Sequence, residues 1–240
     1  MFKTSEECRL ELVSYTMGPE FEEGNEWFNA PANMLPVSAA RASFGKEDKT
    51  GENPKADMKL LKFLADNRHV SVFEHNYATF LVECPIFVAR QIMRHSSFSF
   101  NEMSRRYTSD NPEFWIADSW RKQSTSNKQG STNETVDVLQ DGSVLSEVYR
   151  DAMSFQLVIY NELLKDSLCR EQARALLPQS LLTRFYMTGN LRSFWSFLSS
   201  RLKEDTQLET RVVARRIDEK LRDLWPEAMY ALLGGQDKDV

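Results

Sequence analysis

A largely apolar stretch, CPIFVARQIM at residues 84–93, runs without a break into a segment dense in arginine, serine and aromatic side chains. Residues 90–107 carry four arginines, four serines, one histidine and one carboxylate. Since an apolar stretch of this kind is buried, the cationic side chains emerge from the end of a core element. Guanidinium forks match phosphate oxygens, and aromatic rings offer a stacking surface. The pattern favours a site for an anionic ligand with a flat ring over a solvated basic stripe.

The charge balance narrows the class of ligand. The chain has 240 residues, of which 41% are hydrophobic and 27% charged, with a net charge of −5. These values are typical of a soluble globular protein, and we expect a single domain over residues 1–240. An acidic protein has no general attraction to nucleic acid, so the cationic segment indicates a small, local anion and no nucleic-acid partner. An RNA-binding module with Phe98 and Phe100 as a stacking platform is the alternative from another class, and the acidic total counts against it.

Cysteine usage and hydropathy predict the compartment. Cys8, Cys84 and Cys169 are widely spaced and form neither a CxxC pair nor a disulfide framework, as in a reducing compartment. We expect all three to be core residues. No apolar run approaches the roughly 20 residues of a membrane span, and residues 1–7 do not form a signal peptide. The sequence therefore predicts a cytoplasmic protein with no membrane segment.

Periodicity predicts an α/β (α+β) chain with more helix than strand. Strands are expected at residues 9–17, 76–83 and 181–188, and an ordered loop or short strand at 96–107. Helices are expected at residues 37–44, 54–67, 86–93, 144–165, 169–177, 191–202 and 206–224, with a last turn at 225–233. Irregular segments are expected at residues 18–33 (a loop), 121–135 (a polar surface insertion) and 234–240 (a tail).

The helix at 144–165 has the clearest pattern. Its apolar residues follow three- and four-residue spacing and form one stripe: Leu145, Val148, Ala152, Phe155, Ile159 and Leu163.

Other site chemistries find little support. The sequence contains no G-x-S-x-G elbow and no G-x-G-x-x-G turn. His69 and His75 flank Glu74, but their spacing is not that of a helical zinc pair, so no metal is expected. What remains is a ligand site made from arginine, serine and amide groups. Arg174 and Arg201 lie in otherwise apolar segments, where each needs a carboxylate or a ligand, and the two readings stay open.

Ordered blocks of the sequence resemble one family. Arg94-His95-Ser96, followed after seven residues by Ser104, resembles the R-H-R-x7-S signature of the flavin-dependent thymidylate synthases. HVSVFEH at residues 69–75 is similar to the family's H-x-[ST]-x-F-E-H segment, and NEMSRRY at 101–107 to its N-E-x-S-x-R-Y segment. Further blocks follow the family order across most of residues 35–225, namely CPIFVARQIMRH, ARALLP, TRFYMTGNLRSFWSFLSSR and the 206–224 helix.

The resemblance implies the family's fold, which is rich in helix with a small, twisted, mainly antiparallel sheet. It implies a homotetramer in which FAD and dUMP lie across subunit interfaces. The implied reaction moves a one-carbon unit from 5,10-methylenetetrahydrofolate to C5 of dUMP, with NADPH reducing the FAD and without an enzyme thiolate. The implied dUMP contacts are Gln91, Arg94, Glu102, Ser104, Arg105, Arg106, Arg174 and Arg201. The implied FAD contacts are Ser71, Arg94, His95, Ser96, Glu102, Asn190, Leu191, Arg192 and Ser196.

Physical reasoning agrees with several of these roles. Arg106 and Arg174 suit the 5′-phosphate because the guanidinium fork matches its oxygens. Arg201 is always protonated, and as the catalytic residue it would stabilise a uracil anion formed by loss of the N3 proton. Ser104 is then a hydrogen-bonding residue and not a nucleophile. The flavin supplies the redox chemistry, while the protein supplies placement and electrostatic field.

The sequence also departs from the family pattern. Ser96 replaces the second arginine of the signature, and Ser196 and Asp205 stand where relatives often have asparagine and histidine. Loss of a charged contact predicts weaker FAD retention by about 1–3 kcal/mol. A family member that binds nucleotide and flavin but no longer turns over is therefore the alternative to an active enzyme.

Overall fold

The computed structural model describes residues 1–17, 32–108 and 111–234. In chain order the strands are β1 (Phe2–Lys3), β2 (Leu10–Tyr15), β3 (Tyr77–Pro85), β4 (Ser99–Glu102), β5 (Phe114–Trp115), β6 (Arg121–Gln123), β7 (Ser131–Thr135) and β8 (Leu182–Asn190). The helices are α1 (Leu35–Ala42), α2 (Pro54–Asp66), α3 (Ile86–Ile92), α4 (Leu145–Lys165), α5 (Arg170–Ala173), α6 (Leu191–Arg201), α7 (Leu208–Leu224) and α8 (Pro226–Leu233). Short 3₁₀ turns occur at Ala32–Met34, Glu47–Lys49, Val70–Glu74 and Arg174–Leu176.

The central sheet is antiparallel, with the strand order β2-β3-β8-β4. Strands β3 and β8 pair along their whole length, from Tyr77 opposite Asn190 to Pro85 opposite Leu182. Phe80 and Met187 face each other on the buried side of these strands. Alternation of buried and outward side chains with a period of two explains why this stretch forms strands rather than helix.

Two helices continue directly from the central strands. Strand β3 ends at Pro85 and α3 begins at Ile86, while β8 ends at Asn190 and α6 begins at Leu191. The fixed φ of Pro85 suits the position before a helix. The side chain of Asn190 caps α6 by accepting a hydrogen bond from the Ser193 N–H at 2.9 Å.

The main core lies between the inner face of the sheet and the helices α6, α7 and α8. Phe194 of α6 meets Phe80 of the sheet edge to face, with ring centroids 5.5 Å apart. Ile217 of α7 and Trp225 before α8 are fully buried in the same cluster. Burial of these large side chains provides the main stabilisation of the fold.

The structure confirms most predicted elements and corrects three. The predicted helix at 169–177 is shorter, because α5 gives way to a 3₁₀ turn and Leu177 is extended before Pro178. The predicted last turn at 225–233 is a full helix that begins with Pro226 at its first position. The polar insertion at 121–135 is a β-hairpin, with Arg121 opposite Thr135 and Gln123 opposite Ser131.

Two of the segments predicted to be irregular lie largely outside the described residues. The predicted loop at 18–33 lies outside the described residues except for its last two positions, and the predicted tail lies outside them after residue 234. No helix in the described ranges combines the length and the apolar character needed to cross a lipid bilayer.

Helix α4 confirms the predicted amphipathic helix, but its apolar stripe is largely outside the core of the single chain. Phe155 is 66% exposed and Val148 is 40% exposed. The buried residues of α4 are Met153 and Tyr160, which lie on another side of the helix. The apolar stripe of α4 is therefore a surface feature of one chain.

Candidate functional site

Arg201, at the end of α6, meets the end of α3 and the turn that follows it. Its Nε donates to His95 Nε2 at 3.1 Å, and its Nη2 donates to the carbonyl of Gln91 at 2.9 Å. Burial and, next, the charge of Arg94 lower the pKa of Arg201 below its ordinary value. Neither arginine forms an ion pair with any residue that the structure describes. Two neighbouring cations without a counter-charge among the described residues favour an anion as their partner.

His95 is an acceptor in this group. Because Arg201 has no acceptor atoms, the hydrogen bond between them requires an unprotonated Nε2 on His95. Burial and, next, the charge of Arg201 lower the pKa of His95. The imidazole edge rests against the ring of Phe197, with centroids 5.1 Å apart. His95 is therefore held neutral and fixes the direction of the Arg201 guanidinium.

Phe98 packs the segment after His95 against the start of α6. Its ring is buried against Phe194, with centroids 4.9 Å apart, and lies directly over Gly189 of β8. A Cβ at Gly189 would fall on the Phe98 ring, well inside van der Waals contact. The Ser193 hydroxyl also donates to the Ser97 carbonyl at 3.1 Å. The absence of a side chain at Gly189 thus allows the cationic segment to pack closely on the sheet.

Most of the implied FAD residues surround the exposed side of α6. Arg192 forms an ion pair with Glu74, which brings the 3₁₀ turn that contains Ser71 next to the helix. Ser196 follows one helical turn after Arg192, and both are exposed, as are Ser71 and Ser96. Exposed hydroxyl groups and one guanidinium are donors that suit the pyrophosphate of a dinucleotide cofactor, so the residues present fit FAD.

Two implied FAD residues have their polar groups engaged within the chain. Leu191 is buried, and its N–H donates to the Asn76 carbonyl at 2.8 Å. The Asn190 side-chain oxygen accepts from the Ser193 N–H at 2.9 Å and lies 2.8 Å from the Ser193 hydroxyl, whose one hydrogen is shared between this oxygen and the Ser97 carbonyl. Any contact of Leu191 with a cofactor would therefore use its carbonyl, and Asn190 would use its NH₂ group. The roles of both residues stay predictions.

A second pair of implied dUMP arginines meets at α5. Arg106 Nη2 lies 3.6 Å from Glu171 Oε2, and Arg174 Nε donates to the Glu171 carbonyl at 3.3 Å. Ser104 accepts a hydrogen bond from the Arg106 N–H at 3.3 Å. Arg174 is exposed, contrary to the expectation that it lies in apolar surroundings. Arg174 and Arg106 thus form a second cationic group on the surface.

The remaining implied residues lie near the outer edge of the sheet. Glu102, at the end of β4, accepts a hydrogen bond from Thr183 at 2.7 Å. Arg105 lines a cavity of about 130 Å³ together with Arg184 and Glu113. Among the described residues, no hydrogen bond or ion pair joins the Arg94 and Arg201 group to the Arg106 and Arg174 group.

Comparison with known proteins identifies the family. Residues 29–227 match the family described as thymidylate synthase complementing protein. The chain belongs to this family. It is 38% identical over 197 residues to the flavin-dependent thymidylate synthase of Thermosipho africanus, covering 82% of this chain and 84% of the relative. It is also 38% identical over 195 residues to the enzyme of that name from Thermus thermophilus, covering 81% of this chain and 69% of the relative.

A solved structure shares the whole architecture. The UMP/dUMP methylase PolB from Streptomyces cacaoi, bound with 5-Br dUMP, has a TM-score of 0.79 and 28% sequence identity, covering 96% of this chain and 95% of PolB. The same methylase bound with 5-Br UMP has a TM-score of 0.76 at 28% identity, covering 96% of this chain and 94% of PolB. The expected fold, rich in helix with a small antiparallel sheet, is confirmed.

The cysteines of this family member are poor nucleophiles where they are buried. Burial raises the pKa of the Cys8 thiol to about 12, and it also raises the pKa of Cys84 well above its usual range. Cys169 is exposed at the start of α5, so the expectation that all three are core residues is wrong for this one. Within the described ranges, no group of three or more His, Cys, Asp or Glu residues is placed to hold a metal ion.

Sequence reasoning missed the residues that hold the Gln91 side chain. The Thr210 hydroxyl donates to Gln91 Oε1 at 3.0 Å, and Gln91 Nε2 donates to Gln207 Oε1. Glu209, which is buried, accepts from Gln207 Nε2 at 2.9 Å. One signal was present: Glu209 precedes Val213 by four residues, which places a carboxylate on the apolar face of α7.

Proposed function

We propose that the protein is a flavin-dependent thymidylate synthase that methylates dUMP to dTMP, with 5,10-methylenetetrahydrofolate as carbon donor and NADPH-reduced FAD as reductant. The family membership, the 38% identical relatives and the PolB structure with 5-Br dUMP support this proposal. The observation that carries it is the Arg94 and Arg201 pair, two neighbouring cations that have no carboxylate partner among the described residues. An anionic ligand supplies the missing charge.

Arg201 has the geometry of an electrostatic catalyst. Two of its N–H groups are committed to His95 and the Gln91 carbonyl, so the plane of the guanidinium is fixed before a ligand binds. The remaining N–H groups are available to an oxygen of the pyrimidine, where they would stabilise negative charge after loss of the N3 proton. When bound, FAD supplies the hydride chemistry that no side chain can provide.

The second arginine pair suits the other end of the nucleotide. Arg106 and Arg174 are both exposed, and a phosphate would bind their guanidinium groups in forked geometry by displacing the exposed Glu171 carboxylate from Arg106. Ser104 contributes a hydroxyl next to Arg106. The raised pKa values of the buried thiols of Cys8 and Cys84 support a reaction without a thiolate nucleophile.

We also propose a cytoplasmic homotetramer in which neighbouring subunits complete each site. One observation supports the assembly: α4 exposes apolar residues including Phe155 and Val158. Exposed apolar stripes of this kind are typical of contacts between proteins. Three free cysteines support a reducing compartment.

Tritium release from [5-³H]dUMP, with NADPH, FAD and methylenetetrahydrofolate present, tests the activity. We expect release by the wild type and a loss of about 100-fold or more in Arg201→Gln, because an oriented cationic donor is removed from the site. Lys220→Gln, an exposed change on α7, serves as the matched control and should retain full activity. A wild type that binds dUMP and FAD but releases no tritium would show instead the inactive family member.

The sugar of the substrate requires a separate test, because PolB is described as acting on both UMP and dUMP. We expect dUMP to be the preferred substrate, in line with the thymidylate synthases at 38% identity. Equal kcat/KM for [5-³H]UMP and [5-³H]dUMP would overturn this preference and favour a methylase of the PolB type.

A further inference from the structure

A chain of hydrogen bonds connects the β6–β7 hairpin to Gln91. Arg121 at the start of the hairpin donates from Nη2 to Glu209 Oε1 at 2.8 Å, and from Nε to the Ser131 hydroxyl across the hairpin at 2.9 Å. The other oxygen of Glu209 accepts from Gln207 Nε2 at 2.9 Å. Gln207 Oε1 in turn accepts from Gln91 Nε2.

The carboxylate of Glu209 fixes the donor-to-acceptor direction of this series of hydrogen bonds. An ionised carboxylate can only accept hydrogen bonds, so the NH₂ end of the Gln207 amide must face Glu209. The carbonyl end of Gln207 then faces Gln91, which must present its own NH₂ end in return. Gln91 Oε1 then faces Thr210, whose hydroxyl donates to it at 3.0 Å. A hydroxyl can donate or accept, so Thr210 alone could not choose between the two orientations of the Gln91 amide.

Glu209 has a cationic partner and two hydrogen-bond donors in a buried position. It is buried, and the salt bridge to Arg121 is also mostly shielded from water, with 18% of the Arg121 side chain exposed. A buried carboxylate remains ionised when a cation and hydrogen bonds compensate it. The hairpin, which is polar and projects from the core, thereby takes part in fixing an amide next to Arg201.

We propose that Glu209, paired with Arg121 of the hairpin, is a positioning residue that determines which end of the Gln91 amide a bound pyrimidine nucleotide meets. This inference rests on the function proposed above, in which Gln91 contacts dUMP. Within the described ranges, hydrogen bonds use one N–H and one lone pair of the Gln91 amide and leave the other N–H and lone pair for a ligand, and reversal of the hydrogen bonds would exchange their positions. A nucleotide that pairs with one arrangement would meet a donor in place of an acceptor in the other.

Glu209→Gln tests the direction without removing the hydrogen bonds. The new amide can accept from Arg121 with its oxygen and must then present its NH₂ end to Gln207. Gln207 turns its carbonyl to residue 209, Gln91 turns its carbonyl to Gln207, and Thr210 accepts instead of donating. Every contact is kept, while the Gln91 amide is reversed. We expect the dissociation constant of dUMP for the FAD-loaded protein to rise about tenfold, the effect of one mismatched hydrogen bond.

A second change should restore the original direction. In the double variant Glu209→Gln with Gln207→Glu, the carboxylate stands at position 207 and accepts from both neighbours, so Gln91 again presents its NH₂ end. We expect dUMP affinity to return to within about twofold of the wild type. Lys122→Gln, which removes an exposed pair with Glu134 from the same hairpin, is the matched control and should leave affinity unchanged.

The outcomes separate the two proposals. Unchanged dUMP affinity in Glu209→Gln would overturn the inference while leaving the proposed function intact. Equal weakening in the single and double variants, or a parallel loss of melting temperature and bound FAD in the single one, would assign Glu209 a structural role only and would also overturn it. Failure of the FAD-loaded wild type to bind dUMP at all would remove both proposals together. Weakening in the single variant and recovery in the double would support the inference.

Discussion

Arg201 shows how a single side chain can be prepared for an anion. Its hydrogen-bond acceptors, His95 Nε2 and the Gln91 carbonyl, are both neutral, while the nearest charge that affects it comes from Arg94 and repels it. A carboxylate at this position would have satisfied the guanidinium and blocked the site. Neutral acceptors fix its direction but leave its charge available, which is the arrangement that electrostatic catalysis needs.

The first prediction at the scale of single residues concerns Ser96. Restoring the signature arginine with Ser96→Arg should strengthen FAD binding by about 1–3 kcal/mol, because a charged contact to the cofactor is regained. The measurement is the flavin absorbance of the purified protein relative to its protein absorbance. Ser99→Arg adds the same charge at another exposed serine of the segment and should not raise occupancy. Equal occupancy in the wild type and Ser96→Arg would contradict the prediction.

The second prediction concerns His95 and is a dependence of the free energy of unfolding on pH. Its pKa is lowered from 6.5 in the folded protein, so just below pH 6.5 the unfolded state binds more protons than the folded state. The stability from neutral His95 is therefore complete above about pH 6.5 and is lost as the pH falls further. Urea unfolding between about pH 7.5 and 5.5 should show a smaller loss in His95→Gln, which keeps an acceptor for Arg201 but cannot titrate. Identical pH profiles for the two proteins would refute this account.

Helix α6 is the element around which the separate groups are arranged. Its start is capped by Asn190, its exposed side carries Arg192 and Ser196, its buried side contacts the core through Phe194, and its end carries Arg201. The implied cofactor residues and the proposed catalytic arginine therefore share one rigid element. Sites built on helices hold their geometry better than sites built on loops.

Gly189, at the junction of this helix with the sheet, gives a prediction at the scale of elements. Gly189→Ala should destabilise the fold by about 1–3 kcal/mol, because the new methyl group displaces the Phe98 ring. Urea unfolding measures the change. In a Phe98→Ala background the same substitution should cost much less, since the clash is gone. Equal costs in both backgrounds would show that the close approach of Phe98 is not the reason for glycine here.

At the scale of the whole molecule, the apolar side of α4 is only partly covered within the described chain. Val148, Phe155 and Val158 are all at least 40% exposed on this helix. Exposed apolar side chains at this density are unfavourable in an isolated chain and are normal in a subunit. The proposed assembly accounts for them.

Phe155→Glu should break the assembly. A carboxylate buried between subunits is costly, so sedimentation should show smaller species and tritium release should fall with them. The fold of each chain should persist, because Phe155 is 66% exposed within one copy. Ser154→Glu puts the same charge on the adjacent exposed residue and serves as the control. An unchanged oligomer in Phe155→Glu would place the subunit contact elsewhere.

Sequence periodicity predicted the long helices and the central strands, because α4, α7 and β3 repeat their apolar residues at fixed local spacing. The hairpin at 121–135 was missed because its strands are polar and carry no such alternation. The resemblance of ordered sequence blocks to the family implied Gln91, Arg94 and Arg201 as site residues. It could not reveal Arg121 and Glu209, since a hydrogen bond between residues 88 positions apart leaves no local pattern.

The direct passage from β3 into α3 and from β8 into α6 leaves no flexible linker between the sheet and the residues that carry the chemistry. The positions of Gln91 and Arg201 are therefore coupled through two strands that pair along their whole length. A single residue inserted between Asn190 and Leu191 would turn α6 by about 100° and carry Arg201 away from Gln91. Loops elsewhere in the chain can accommodate insertions, but an insertion at either of these two strand–helix junctions would displace the helix that follows.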